Sequence, residues 1–424
     1  MAKGVDNLKQ RRTLWIIVAV IVCITLVAAA VLFALNYVDS GVDPESGFKA
    51  KNVILMIGDG MGFEHIAAGN IYSAARLQME RFALSGEVMT RSLTPGATDS
   101  AAAATAMATG VKTYNGRIAY KDGKALETIA EMAMDEGKKV GVVATKAVTD
   151  ATPAAFLTHA KSRNDAESIA SQLVASPVDV LFGLTDEYMT AMYDDIATDN
   201  RALCTSFQSI ADAVQDSEVD KIFGLLEDGD IQNYGANTLA QLTRNALSKL
   251  SSVSEDGFLL VVEGSKIDTA SHDNDMAAML GELQAFNAAI SACKEWADMN
   301  GETVVIVTAD HETGGLKVPE FASSADAYDA LLDYDNSNGW FTRTSHSSAN
   351  VGYYIHATSS EAIMRSVELT DQTGETVTDA DGNAVMTEVL DKYQEIDYNT
   401  LMDIPSEIDN TDIFELIKQW LLTE

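Results

Sequence analysis

Cysteine is scarce in this chain. Only Cys23, Cys204 and Cys293 occur among 424 residues, no CxxC is present, and Cys23 lies inside an apolar run. At most one disulfide is open to the folded part, so a disulfide-stapled scaffold is excluded and thiols are poor candidates for metal binding or nucleophilic chemistry. Positive charge is scarce too. Lys and Arg number 29 against 63 Asp and Glu, a net charge of −34, which excludes a general nucleic-acid-binding surface. A field this acidic also repels anions at long range, so an anionic substrate needs cations gathered locally. Histidine is the third rarity, with six residues. Internal repeats and low-complexity tracts are missing. What is plentiful is apolar sequence: 47% of residues are hydrophobic, enough for one large core or two modest ones.

One apolar run is long. Thr13–Leu35, TLWIIVAVIVCITLVAAAVLFAL, carries no charge; at ~1.5 Å per residue it spans roughly 34 Å, enough for a bilayer core. Lys3, Lys9, Arg11 and Arg12 precede it, opposed by Asp6 alone. The positive-inside rule then predicts a cytoplasmic tail over 1–12, a transmembrane signal anchor over 13–36, a polar linker over 37–50 and a catalytic domain over 51–424 outside the membrane. That is a single-pass protein of a bacterial-type cell membrane, its folded part extracellular or periplasmic. A cleaved leader, giving a secreted form, is the alternative. It wants a shorter apolar region, ~7–15 residues, followed by a small-x-small site, whereas the exit here reads LFALNYVDSG.

Beyond the linker, NVILMI (52–57), VGVVAT (140–145), DVLFG (179–183), FLLVVEG (258–264) and TVVIVTAD (303–310) are near-continuous runs without alternation, which suits strands buried on both faces. Helical stretches separate them: KALETIAEMAMDEG, DAESIASQLVAS, TLAQLTRNALSKL and DMAAMLGELQAFNAAISACKEWADM. The alternation predicts an α/β fold with a mostly parallel central sheet and helices on both faces. Acidic residues mark the strand ends: Asp59 after the first, Asp150 beyond the second, Glu263 in the fourth, Asp310 after the fifth. Ligands in open α/β sheets bind beyond the carboxyl ends of strands, and carboxylates gathered there repel one another unless cations join them.

The stretch NVILMIGDGMG looks at first like a nucleotide loop. A dinucleotide loop reads G-x-G-x-x-G; here the spacing is G-D-G-M-G, and Asp59 would oppose a pyrophosphate. The glycines instead allow a tight turn that projects Asp59 over the strand end, or simply a turn with a surface Asp. In EGSKIDTASH, Asp268 and His272 are four apart, one face of a helix, a spacing that holds a metal or makes a surface pair. Asp310-His311 leaves the fifth strand in TADHETGG, and His346 lies in the polar TSHSS. His65, His159 and His356 lack acidic neighbours at ligand spacing, apart from Glu64 beside His65, and read as structural. TDSAAAATAMATG is a strong helix former stopped by Gly110, with Ser100 at its start, either a cap or a nucleophile where helix N–H groups and a metal would stabilise its alkoxide. TDATPAAFLTHAKSR supplies Asp150, Thr152 and Arg163, the last able to grip two phosphate oxygens at once.

Together these motifs, in this order, resemble the alkaline phosphatase family. The resemblance covers roughly 50–356 and the closing NTDIFELIKQWL. It implies that Ser100 is the nucleophile that becomes phosphorylated and Arg163 the phosphate clamp. It implies two zinc ions, one held by Asp268, His272 and His346, the other by Asp59, Asp310 and His311. It implies one magnesium on Asp59, Thr152 and Glu263, with Asp150 in its outer shell. Mixed imidazole and carboxylate donors suit zinc, and an all-oxygen set suits magnesium. Two in-line displacements on small-molecule phosphate monoesters follow, and the family's common homodimer is an expectation. Departures are Thr269 after Asp268, Ser347-Ser348 after His346, a short cap insertion over about 312–345, and a poor fit over 357–405, where TDADGNAV reads as a hairpin with an Asp-Gly turn rather than a calcium loop. The nearest rival is a phosphodiesterase or sulfatase of the same superfamily; a surface metal- or phosphate-binding protein without turnover is the rival of another class.

Overall fold

Seven-residue NVILMIG forms strand β1 (Asn52–Gly58), with every residue buried. Apolar side chains pointing to both faces leave no solvent-facing side, so the strand is stable only in the middle of a sheet, where burying each large apolar residue contributes roughly 1.5–3 kcal/mol. The computed structural model describes residues 49–424 apart from 199, 231–236, 336–338, 369, 371–383, 385, 397–400, 402–403 and 423–424. The predicted tail, anchor and nearly all of the linker lie outside the described residues, as does TDADGNAV except Ala384. Among the described residues no helix is long and apolar enough to cross a membrane.

The other strands of the main sheet are β2 (Leu84–Met89), β3 (Lys139–Ala147), β4 (Val180–Leu184), β5 (Arg201–Cys204), β6 (Lys221–Leu226), β7 (Phe258–Gly264), β8 (Thr303–Thr308), β9 (Val351–Glu368), β10 (Met386–Glu395) and β11 (Glu407–Asp409). Their order is β11-β2-β9-β8-β1-β7-β3-β4-β6-β5, with β10 added on β9. From β8 through β5 every pairing is parallel, as predicted. β9 runs antiparallel to β8, β10 and β2. This flank went unpredicted because Leu84–Met89 and the far half of β9 are part-exposed and carry polar residues in no clean alternation.

Helices cover both faces. On one lie α4 (Thr238–Val253) and α6 (Met276–Asn300), packed on each other and on β1, β3, β7 and β8, with α1 (Phe63–Ser73) against α6. On the other lie α2 (Ser100–Thr109), α3 (Ala151–Leu157) and α7 (Asn410–Leu422), which also reach β1 and β7. All ten residues of α2 are buried; its alanines allow the close approach of α3 and α7. Gly110 ends α2 with φ +68°, and a Cβ there would lie 2.6 Å from Phe414, so the stop is also a helix–helix contact. Cys204 and Cys293 are buried free thiols.

Candidate active site

The three central strands end level. Ile57 of β1 pairs with Thr308 of β8 and Glu263 of β7, and Gly58 pairs with Gly264. Asp59, Asp310 and Glu263 are thereby brought to one short stretch of sheet edge, all buried. Gly60 follows with φ +77°; a Cβ on it would lie 2.8 Å from the Asp268 Cα. Its N–H donates to Asp310 Oδ1 at 3.1 Å. The turn is glycine-rich because backbone packs directly against α5 (Lys266–His272), the helix that carries Asp268 and His272.

His272, His346 and Asp268 meet at one point. The two Nε2 atoms are 3.1 Å apart, and they lie 3.4 and 3.5 Å from Asp268 Oδ1. His272 Nδ1 contacts the Thr344 carbonyl at 2.6 Å and His346 Nδ1 the Thr98 carbonyl at 2.9 Å. Carbonyls only accept, so both rings carry a proton on Nδ1, and in its neutral form each turns an Nε2 lone pair toward the other and toward Asp268. His311 repeats the arrangement. Thr313 donates its hydroxyl to Asp268 Oδ1 at 2.5 Å and so accepts from His311 Nδ1 at 3.3 Å. His311 Nε2 then faces Asp310 Oδ2 at 3.2 Å, Asp59 Oδ1 at 3.7 Å and Ser100 Oγ at 3.3 Å. The rings of His311 and His346 stack with centroids 3.6 Å apart. Among the described residues two groups are close enough to hold an ion, Asp59–Asp310–His311 and Asp268–His311–His346, with His272 beside the second.

Electrostatics shows the same crowding. Burial pushes the Asp59 carboxyl well above its ordinary range, and Asp310 and Asp268 add to the effect. Burial raises Glu263 to about 8 and lowers His311 to about 4. Asp268 goes the other way: burial would raise it, but hydrogen bonding from His346 and the nearby His311 and Lys146 hold it well below the usual range.

Ser100 is the first residue of α2 and does not cap it. Asp99 does, accepting from Ala102 N–H at 3.0 Å and from Gly116 N–H at 2.8 Å. The Ser100 hydroxyl is left facing His311 at the positive end of the helix. Arg163 donates to Asp150 Oδ1 at 2.9 Å and lies 3.6 Å from Asp99 Oδ2. Asp150 caps α3, which carries buried Thr152.

The family model for alkaline phosphatase matches residues 50–388. The chain belongs to the alkaline phosphatase family. It is 35% identical over 289 residues to alkaline phosphatase 4 of Bacillus subtilis, covering 63% of this chain and 62% of that protein. It is equally identical, over 290 residues, to alkaline phosphatase 3 of the same organism, with the same shares. The chain thus spans about 62% of the length of these curated relatives. The alkaline phosphatase of the Antarctic bacterium TAB5 superposes with a TM-score of 0.63 at 31% identity, covering 73% of this chain and 92% of that one.

Alkaline phosphatases are metal-dependent, and the residues here fit bound cations. Asp59 Oδ1, Asp310 Oδ2, Thr152 Oγ1 and Glu263 Oε2 are buried without a hydrogen-bond partner. Such orphans are costly in a dry site and are what cations satisfy. Contacts bring Ser100, Asp59, Asp268, His272, Asp310, His311 and His346 together, and Arg163 meets Asp150 and Asp99.

Two residues of this site, Lys146 and Thr313, were missed in the sequence, and His65, read as structural, turns out to brace it. Thr313 links His311 to Asp268. Buried His65 accepts from Gly62 N–H at 3.2 Å and contacts Ser271 Oγ at 3.0 Å, tying the Asp59 turn to α5; burial lowers it to about 4. Lys146 lies 3.5 Å from Asp59 Oδ2 and 3.7 Å from Asp268 Oδ2. The available signal for Lys146 was a charged residue at the carboxyl end of an apolar strand, where ligands gather. Thr313 and His65 each join a near neighbour, His311 and Gly62, to a distant residue, Asp268 and Ser271, and only the fold supplies the distant half. His159 pairs with Glu131 at 2.9 Å and His356 with Asp298 at 2.8 Å, partners supplied by other elements.

Proposed function

We propose that the protein hydrolyses phosphate monoesters through a phosphoserine at Ser100. The observation that carries this reading is the Ser100 hydroxyl, 3.3 Å from His311 Nε2, at the edge of two imidazole–carboxylate clusters and at a helix N-terminus. Zinc fits Asp268, His272 and His346 on one side and Asp59, Asp310 and His311 on the other; magnesium fits Asp59, Thr152 and Glu263, with Asp150 outside them. When bound, the ions supply Lewis acidity that favours the serine alkoxide and offsets charge on the leaving oxygen. The chain's own residues do the rest. The α2 N-terminus and Arg163 orient the phosphoryl group, Arg163 being aimed by Asp150 and Asp99. Ser100 Oγ bonds to phosphorus as the ester P–O bond breaks and the alcohol leaves. Water then displaces Ser100 and releases inorganic phosphate. Two in-line displacements give retention at phosphorus.

A serine nucleophile, with Thr152 and Glu263 completing an oxygen-rich set, favours monoesters over diesters or sulfate esters. The Thr13–Leu35 run supports a membrane-tethered enzyme acting outside the cell membrane, and a homodimer belongs to the same reading. Ser100→Ala tests it: hydrolysis of p-nitrophenyl phosphate drops roughly 1,000-fold or more while inorganic phosphate still binds. Persisting activity would sink the serine role. Bis-p-nitrophenyl phosphate turned over faster than the monoester would instead favour the diesterase.

A further inference from the structure

Among the described residues Lys146 is the lysine that contacts the carboxylates of this site, and the fold aims it there. It lies near the end of β3, where the pairing with β4 shifts register between Val143 and Ala147. Irregularities of this kind re-aim side chains beside functional sites. The preceding residue is locked: Thr145 N–H donates to Ser265 Oγ at 3.2 Å, and Ser265 N–H donates to Thr145 Oγ1 at 3.0 Å. That pair fastens the end of β3 to the residue before α5. Lys146 is thus held next to the helix carrying Asp268, and its side chain is largely buried, at 23% exposure.

The ammonium sits on particular oxygens. Asp59 turns Oδ1 toward His311 and Oδ2 toward Lys146. Asp268 turns Oδ1 toward the histidines and Oδ2 toward Lys146. Asp150 and Glu263 add attraction from farther off. An ion held by Asp59, Thr152 and Glu263 would draw on the carboxylate whose Oδ2 Lys146 already holds. We propose that Lys146 is a built-in cation of this oxygen-rich corner, which competes with a divalent ion for Asp59 and makes third-ion binding in this chain weak and conditional.

The reasoning is electrostatic. Asp59, Asp150, Glu263, Asp268 and Asp310 crowd one crevice, and a fixed positive charge among them stabilises the set before any third ion arrives. A divalent ion entering that corner meets repulsion from the ammonium and must displace it from Asp59. Thr152 Oγ1 and Glu263 Oε2 remain without partners, so the corner still accepts an ion, at reduced affinity.

The inference rests on the metal-dependent phosphatase reading, and its test separates the two. The zinc-loaded full chain in detergent is titrated with Mg2+ by isothermal calorimetry. Lys146→Met and Lys146→Gln bind Mg2+ at least ten-fold more tightly than wild type. Adding Thr152→Ala to Lys146→Met removes the gain. Equal or weaker Mg2+ binding by the neutral variants overturns the proposal. Elemental analysis of wild type after dialysis at micromolar Mg2+ does not depend on the variants folding: two ions per chain support the proposal and three refute it. Wild-type turnover of p-nitrophenyl phosphate is measured alongside; its absence fails the phosphatase reading, whereas intact turnover with unchanged Mg2+ affinity fails Lys146 alone.

Discussion

The Nε2 atoms of His272 and His346 face each other at 3.1 Å, with both Nδ1 protons already given to the carbonyls of Thr344 and Thr98. Two lone pairs at that distance, beside the Asp268 carboxylate, repel unless a proton or a metal ion stands between them. Stripping the protein with EDTA should therefore lower stability as well as activity. An ion present at about 1,000 times its dissociation constant contributes about 4 kcal/mol per site, so the chelated protein should melt several degrees lower, and zinc add-back should restore the melt. Identical melting curves with and without chelator would mean that the histidine pair carries no ion.

Thr313 gives the sharpest test of the supporting network. It fixes the His311 tautomer and holds Asp268 Oδ1, so it orients one member of each cluster. Thr313→Val keeps the shape and removes both hydrogen bonds. Outer-shell losses of this kind cost about 10–100-fold in metal affinity. Competition with a chromogenic zinc chelator should show a loss in that range with the fold intact by circular dichroism. No change would assign the threonine to packing alone.

Gly60→Ala probes the turn that opens the site. The residue has φ +77°, and the new methyl would meet the Asp268 Cα at 2.8 Å and Thr313 Oγ1 at 2.9 Å. Left-handed strain of about 1–2 kcal/mol adds to the clash. Because the obstructing atoms carry the ligands, the variant should lose activity far beyond its loss of stability. A folded Gly60→Ala protein with near-normal kcat/KM would show that the turn tolerates displacement.

Much of this was legible in the sequence, for a physical reason. Strands β1, β3, β4, β7 and β8 are buried on both faces, so they read as unbroken apolar runs whose ends are easy to place. In a parallel sheet those ends are where ligands gather, so Asp59 and Asp310, just past β1 and β8, and Glu263, next to last in β7, could be named. The antiparallel flank was hidden because β9 and β10 are part-exposed and mix polar with apolar residues. Asp99 rather than Ser100 caps α2, a distinction set by Gly116 and Ala102 N–H groups that converge only in the fold. Lys146, Thr313 and His65 belong to the same class: each acts on the site through a partner distant in sequence, Asp59, Asp268 and Ser271, and no spacing announces that.

His356 shows a buried histidine used for stability, with a sign that pH can read. Its Nε2 is 2.8 Å from Asp298 Oδ1 on α6, and its Nδ1 is 3.3 Å from Glu395 Oε1 on β10, while Lys294 bonds Asp298 at 2.7 Å. Burial would lower the imidazole, and Lys294 adds to that, but Asp298 and Glu395 outweigh them and hold it above its ordinary value. The folded state therefore prefers the charged ring. This contribution is complete below the unfolded pKa of about 6.5 and is lost as pH rises through the higher folded value. Asp298 and Glu395 are held low by the same ring, so their share is present above the ordinary carboxylate range near 4 and lost on acidification. The cluster should be strongest between about pH 5 and 6.5. His356→Gln, compared with wild type by urea unfolding, should cost about 1–3 kcal/mol in that window, and the gap should narrow toward pH 9. A gap that stays constant from pH 5 to 9 would mean that the ring acts through shape and hydrogen bonding rather than charge, and the β9–β10 ribbon would then be fastened to α6 by packing alone.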